Sequence, residues 1–464
     1  MIRIEKDIHT PRPLEEVFPF IADFCNLPDW DPGVLSSQKT SKGILKEGDT
    51  FMLETSFGLQ KIPITYTLDK LIPHKEVVYS AANHAIEIVD RIRFSPQANG
   101  GTKVQYMADF TPTKDYASFE PFFRLLLSQT GKKAFQGMTR ALQVSEVKDL
   151  GMWKKFADSL ILPGMLYFTK YGYHAIEEHR PAITQRLEGK LVIVTGATSG
   201  LGYETALSLA RLGATLVLVG RNEEKLSNAK QNIYDETGNS SIETEKADLS
   251  LLEQVRNVAE RILQKHSKID ILVNNAGYLF PQREITSEGN ETSLSLLLLS
   301  PYLLSHLLLP GLQQSGNAKI VNVSSGGMYT QKIVLDDLQS EKDYNGSVAY
   351  ARAKRGLVIA TEYLSKTWQK DNIQVNAMHP GWADTTAVQQ TLPEFHKIMR
   401  GFLRTAKEGA DTIIWLAADP AVANISGEFW LDRQIHATEI VPGTSHTAEE
   451  KRRLIEELNS LCKL

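Results

Sequence analysis

Cysteine is nearly absent: Cys25 and Cys462 are the two in a chain of 464 residues. They stand near opposite termini, so neither a disulfide framework nor a cysteine-rich metal site is expected. His174, His306, His379 and His436 show no metal-ligand spacing, and no metal is expected. Strong charge is missing too, since a formal net charge of -4 argues against a nucleic-acid partner. No charged-then-apolar leader opens the chain, and a cytoplasmic location is the expectation. What is present is ordinary: 42% hydrophobic residues suffice for two cores, and this length suggests two domains.

Against that plain background one stretch is chemically marked. The apolar run Leu191-Val192-Ile193-Val194 leads into Thr195-Gly196-Ala197-Thr198-Ser199-Gly200-Leu201-Gly202 and then into a helical pattern. Strand, glycine turn and helix in that order can cradle a dinucleotide, because glycines let backbone N–H groups approach a pyrophosphate at the positive end of a helix dipole. Downstream, Tyr350 and Lys354 of Tyr350-Ala351-Arg352-Ala353-Lys354 are four apart and share one helix face. An ammonium there is expected to favour the phenolate of Tyr350 and lower its pKa toward neutrality. Ser325, just past the apolar run 319–323, is expected to hydrogen-bond the same substrate oxygen. A lone Tyr-x-x-x-Lys pair is usually a surface feature. The ordered set of glycine turn, serine, tyrosine and lysine is specific.

With Asn274-Asn275-Ala276-Gly277 after the strand-like run 269–273, and Pro380-Gly381 after the run 373–378, these residues resemble the short-chain dehydrogenase/reductase family over roughly residues 160 to 464. The resemblance implies an α/β Rossmann fold, a doubly wound parallel sheet, with NAD(P) as cofactor and oxidation or reduction at a carbonyl or alcohol carbon. It implies that Thr195, Gly196, Ser199, Gly200, Leu201 and Gly202 line the pyrophosphate, that Asp248 sits near the adenine, and that Asn275, Ala276 and Gly277 support the nicotinamide side. Pro380, Gly381 and Thr385 complete the cofactor site. Tyr350 is then the acid/base, Lys354 holds the ribose and tunes Tyr350, and Ser325 orients the substrate. Hydride transfer belongs to the cofactor.

Cofactor choice is read at the end of Thr215-Leu216-Val217-Leu218-Val219-Gly220-Arg221-Asn222. An NAD enzyme usually places a carboxylate here, which accepts from the ribose 2′-OH and repels a 2′-phosphate. Gly220 and then Arg221 occupy the place, and a guanidinium suits a phosphate, so NADP is expected over NAD. The competing reading is that Arg221 stacks on the adenine and tolerates both.

One departure from the family matters. Leu297 stands where the family carries an asparagine that completes a water-mediated proton relay, and Ser300 where a glycine is common. Leucine neither donates nor accepts a hydrogen bond. The same segment, Leu294 to Leu312, has no formally charged residue and approaches transmembrane length. Ser295, Ser300, Pro301, Ser305, His306, Pro310 and Gly311 interrupt it; a core helix with a face for homodimer contact is expected, kinked at Pro301.

The first 148 residues follow another pattern. A strand-like opening, a helix over 13–23 ending near Trp30-Asp31-Pro32, and strands near 34–40, 49–57, 60–69, 75–81, 85–95 and 102–112 precede a long helix from about Phe119 to Val147. The arrangement predicts an α+β unit whose curved sheet grips the helix, and resembles the polyketide cyclase and lipid-transfer superfamily with the helix-grip fold. That resemblance implies a cavity for an apolar small molecule. Phe122, Phe123, Leu126, Leu127, Phe135, Met138 and Leu142 recur at helical spacing and either line it or fill a core. The connector, 149–188, is apolar and aromatic, with Pro163-Gly164 at a break. Packing between the domains, a roof over the substrate cleft and peripheral membrane contact through 149–175 all stand open. With 189–464 as the reductase domain, the reading is an NADP-linked reductase acting on an apolar carbonyl or alcohol substrate. The alternative is a catalytically weak carrier or regulatory protein that binds a lipid-like ligand and a dinucleotide.

Overall fold

The structure, a computed structural model, describes the chain outside residues 58–59, 84–85, 114–119, 146, 148–164, 178–179, 386–388 and 390–392. Its contacts divide it into two units: Met1–Glu146 with Glu177–Arg186 and Asp235–Gly238, and Val147–Ile176 with Leu187–Tyr234 and Asn239–Leu464.

Alternation builds the first unit. β1 (Ile2–Thr10), β2 (Val34–Lys39), β3 (Thr50–Phe57), β4 (Gln60–Ile72), β5 (Glu76–Ala82), β6 (Ile86–Pro96) and β7 (Thr102–Pro112) form one antiparallel sheet in the order β1-β7-β6-β5-β4-β3-β2. On β5 and β7 every second residue is buried, so each strand turns one apolar face inward. The helices Leu14–Ala22 and Glu120–Ala141 belong to the same unit. Phe135 of the longer helix lies edge-on to Tyr106 of β7, with ring centroids 5.7 Å apart. Glycine permits that docking: a Cβ at Gly137 would sit 2.1 Å from the carbonyl oxygen of Trp30, and one at Gly131 would meet Ile4 at 2.9 Å. Met138 and Leu142 are buried in the core with Phe24, Phe51, Leu68 and Ile92, and Leu127 is half-buried. The side chains of Phe122, Phe123 and Leu126 lie outside the described residues.

The second unit is doubly wound. β8 (Leu191–Thr195), β9 (Thr215–Gly220), β10 (Ile242–Lys246), β11 (Ile271–Asn274), β12 (Lys319–Val323), β13 (Gln374–Met378), β14 (Phe429–Leu431) and β15 (Gln434–His436) run in the order β10-β9-β8-β11-β12-β13-β14-β15. All pairs are parallel except β14 with β15. Central strands buried on both faces need continuous apolar runs, which is why Leu191–Thr195 is buried throughout. The order reverses between β8 and β11, and such a switch point opens a crevice at the carboxyl ends of the strands.

The leucine-rich segment is divided into Thr292–Leu294, a π-turn at Ser295–Leu299, Ser300–Leu307 and Leu309–Gln313, with prolines in the first turns of the last two pieces. At the expected kink, Pro301 closely follows the π-turn, and the backbone of Leu299 and Ser300 stays in the right-handed helical region. Leu297, Leu298, Leu299, Leu303 and Leu304 are buried in the main core. Among the described residues no helix is long and apolar enough to cross a membrane. The C-terminal helix Ala448–Cys462 opens with a capping box of Thr447 and Glu450. Of the apolar connector, Met165–Phe168 and Lys170–Glu177 are described, and the rest of 149–164 lies outside the described residues.

Candidate active site

The glycine turn is fixed by what surrounds it. Gly196 and Gly200 have φ of 66° and 56°, values that L side chains disfavour. A Cβ at Gly202 would lie 2.3 Å from the carbonyl oxygen of Gly196. The turn is also tied to the loop after β11. Thr195 Oγ1 accepts from the backbone N–H groups of Asn275 and Ala276, both at 3.0 Å, and donates to the Val273 carbonyl at 3.2 Å. The Asn275 side-chain amide donates to the carbonyls of Thr195 (2.9 Å) and Gly196 (3.3 Å). Thr195 and Asn275 thus hold the shape of the cradle. Leu201 packs on the helix Ala406–Ala418, where a Cβ at Gly409 would meet it at 2.6 Å.

The helix Gly200–Arg211 begins at Ser199, whose side chain makes no capping hydrogen bond. Its first N–H groups keep their capacity for an anion. Thr385 lies beside this turn, 3.4 Å from where a Gly200 Cβ would be. At the end of β9, a Cβ at Gly220 would press on Thr198 at 3.3 Å, and Arg221 is exposed. Asp248 Oδ1 accepts from Ser250 N–H (2.9 Å) and Oγ (2.7 Å) in the turn after β10. The cradle therefore fits a dinucleotide phosphate: glycines where a Cβ would block the approach, and an uncapped helix start.

Tyr350 and Lys354 project from the helix Gly346–Thr367, whose first N–H groups are capped by Asn345. Tyr350 hydrogen-bonds Ser325, which counters part of the upward push that burial gives its phenol. Ser325 Oγ also accepts from Gly327 N–H at 3.2 Å. Lys354 is 3% exposed, and its Nζ donates to the Val323 carbonyl at 2.6 Å while lying 5.9 Å from the Tyr350 ring centroid. Burial lowers the ammonium to about 7. The expected direction for Tyr350 is thus reversed: its pKa is raised, because desolvation outweighs the Ser325 hydrogen bond and Lys354 is turned to a backbone carbonyl.

Gly277 faces both Leu297 and Lys354, at 3.2 and 3.6 Å from its would-be Cβ. Behind Lys354 is a small cavity lined by Thr195, Asn274, Ala276, Leu297 and Ser300 among others. Leu297, Leu296, Leu249 and Leu357 supply apolar walls there, while Thr195, Ser300 and Asn274 bring hydroxyl and amide groups. Asn274 continues into a buried polar chain, donating to Asn322 Oδ1 (2.9 Å) and Ser305 Oγ (3.2 Å).

His379, which shows no metal-ligand spacing in the sequence, is a neighbour of this site. Its Nδ1 accepts the Gly326 N–H at 3.0 Å, one residue from Ser325, which puts the ring proton on Nε2. Burial and the nearby Arg404 lower it to about 3, so the ring is neutral. Phe168 covers it, with centroids 4.7 Å apart, and the Phe168 carbonyl accepts from Trp382 N–H at 2.7 Å. Arg404 clamps the same corner, paired with Asp432 at 2.7 and 2.9 Å and donating to the carbonyls of Tyr167 (2.6 Å) and Thr169 (3.2 Å). A Cβ at Gly381 would strike that guanidinium at 2.3 Å, and Pro380 is half-buried beside it. Adjacency to Pro380-Gly381 was the available signal for His379. Nothing in the local sequence linked Phe168 or Arg404 to this corner.

A parallel sheet with this strand order, a glycine cradle at its switch point, and a serine, a tyrosine and a lysine converging beside it define a short-chain dehydrogenase/reductase, and the chain belongs to that family. Residues 190–396 match the family model for short chain dehydrogenase, and residues 1–145 that for polyketide cyclase / dehydrase and lipid transport. The chain is similar to human dehydrogenase/reductase SDR family member 12, 37% identical over 65% of this chain and 95% of the relative. It is also similar to human retinol dehydrogenase 12, 36% identical over 53% of this chain and 79% of the relative. A solved L-sorbose reductase from Gluconobacter frateurii, complexed with NADPH and L-sorbose, aligns at 24% identity with a TM-score of 0.45, over 54% of this chain and 98% of that one.

Proposed function

We propose that the second unit is an NADP-dependent reductase or dehydrogenase acting on an apolar carbonyl or alcohol, and that the first unit holds or delivers that molecule. The observation that carries the reading is the convergence of Ser325, Tyr350 and Lys354 beside the uncapped start of the helix Gly200–Arg211. Ser325 orients the substrate oxygen. Tyr350 exchanges a proton with it. The dinucleotide supplies the hydride when bound. Arg221, exposed next to Gly220 where an NAD enzyme would place a carboxylate, favours the 2′-phosphate. The polar cavity behind Lys354 supports a proton route that bypasses Leu297, with Ser300 and Asn274 as its hydrogen-bonding walls.

A second reading is a carrier that binds ligand and dinucleotide without useful turnover, and Leu297 against Gly277 favours it. NADPH oxidation by the full chain against a panel of apolar aldehydes, ketones and quinones separates the two. Turnover that disappears in Tyr350→Phe supports the enzyme. NADPH binding without oxidation of any panel member supports the carrier.

A further inference from the structure

The inner face of the first unit carries a polar group that an apolar core does not require. On β6 the buried face reads Ile88, Asp90, Ile92 and Phe94. Asp90 lies opposite Tyr79 on β5 and Ala108 on β7. Tyr106 is two residues from Ala108, and Tyr66 on β4 stands opposite the small Ala81. The phenols of both tyrosines act on the Asp90 carboxyl and counter part of the upward push that burial gives it. Asp90 is 4% exposed, Tyr66 9% and Tyr106 8%.

Removing a carboxyl from water costs several kcal/mol unless a partner compensates, and among the described residues no cation is paired with Asp90. The strand neighbours Arg91 and Arg93 alternate to the other face, where Arg93 pairs with Glu76 at 2.8 Å. The charged groups that influence Asp90 are two more carboxylates, Asp31 and Asp109, and burial with their help raises Asp90 to about 7. A protonated carboxyl is a hydrogen-bond donor. A second donor belongs to the same core: the indole N–H of Trp30, a residue 2% exposed, is buried without an acceptor among the described residues. The Trp30 ring meets Tyr106 edge-on at 6.0 Å. Phe135 and Phe24 supply apolar walls against Tyr106 and Tyr66, at 5.7 and 5.4 Å.

We propose that Asp90, Tyr66, Tyr106 and Trp30 form a ligand site that recognises the oxygen of an uncharged, largely apolar carbonyl compound. The nearby carboxylates repel an anion, and the buried N–H and O–H donors select an acceptor oxygen. The proposal deepens the ligand-holding role given above to the first unit and rests on that part of the reading, not on turnover.

The test uses the full chain and fluorescence titration with the uncharged naphthyl ketone prodan, its ketone-free parent dimethylaminonaphthalene, and the matching naphthoate. The wild type is expected to bind prodan about tenfold more tightly than either analogue, the scale of one or two hydrogen bonds. Trp30→Phe and Tyr106→Phe should each remove most of that preference and leave the affinity for the ketone-free parent within about twofold. Both changes keep an aromatic ring, and the wild-type preference is readable even where Asp90→Leu does not fold. Equal binding of all three probes in wild type and variants overturns the polar recognition while the ligand-holding role survives. No binding of any probe overturns both.

Discussion

Each unit buries a titratable side chain beside a tyrosine, and burial moves both toward neutrality from opposite sides. In the second unit Lys354 falls to about 7 among a backbone carbonyl, a polar cavity and Tyr350. In the first, Asp90 rises to about 7 between two phenols and two further carboxylates. The cause is the same, since low-dielectric surroundings penalise the charged form of either group. The partners differ, and they decide the use. A lysine turned to a carbonyl beside a glycine cradle suits the proton transfer and dinucleotide binding proposed above. A buried carboxyl between two phenols suits the recognition proposed for the first unit.

The comparison breaks most visibly if matched phenols are removed. Tyr350→Phe should lower NADPH-dependent reduction by about 10³-fold or more while NADPH binding persists, because the ring stays and the transferable proton goes. Tyr106→Phe should leave reduction of a small soluble carbonyl unchanged. Steady-state kinetics with a fluorescence titration of cofactor checks both, and activity of Tyr350→Phe within a few-fold of wild type would remove Tyr350 as the acid.

Arg221→Ala tests the cofactor side alone. NADPH should weaken by about 1.5–3 kcal/mol, the range of a charged hydrogen bond, with NADH nearly unaffected. Equal losses for both would show that Arg221 does not read the 2′-phosphate.

The pH dependence of stability should separate the two units. Asp90, raised from 3.8 to about 7, contributes stability fully present below 3.8 and lost as pH rises through 7. Lys354, lowered from 10.5 to about 7, contributes stability present above 10.5 and lost as pH falls through 7. Each slope is at most about 1.4 kcal/mol per pH unit. Thermal melts should show Asp90→Asn removing a loss of stability as pH rises from 3.8 to 7, and Lys354→Met removing a gain as pH rises from 7 to 10.5; a variant that changes both ranges alike would contradict the assignment.

The smallest effect concerns the departure at Leu297. Leu297→Asn should change kcat by no more than about threefold if the cavity beside Ser300 already carries the proton, whereas Ser300→Ala should slow turnover by about tenfold with a normal solvent isotope effect, the rate falling in heavy water. A tenfold gain in Leu297→Asn would mean that the relay limits the wild type.

Much of this was legible in the chain. The strand segments of the first unit were marked by an alternating opening and by the turns between them, and the glycine turn by its position between an apolar strand and a helix. Tyr350 and Lys354 were marked by helical spacing. The reversed direction of Tyr350 was not, because it depends on how much water burial excludes and on Val323 drawing Lys354 away. The roles of Thr195 and Asn275 in bracing the cradle were also hidden, since their partners lie some eighty residues apart in sequence.

Local sequence determined what short-range physics controls: which segments become strands or helices, where glycine permits a tight turn, and which residue types bear the chemistry. Tertiary structure decided what depends on long-range neighbours. It brought Asp90, Tyr66 and Tyr106 from three strands onto one face, set His379 against Gly326, and clamped the segment around Phe168 with Arg404 and Asp432. Spacing along a chain predicts a shared helix face, but the dielectric around a buried group is set by every element packed against it.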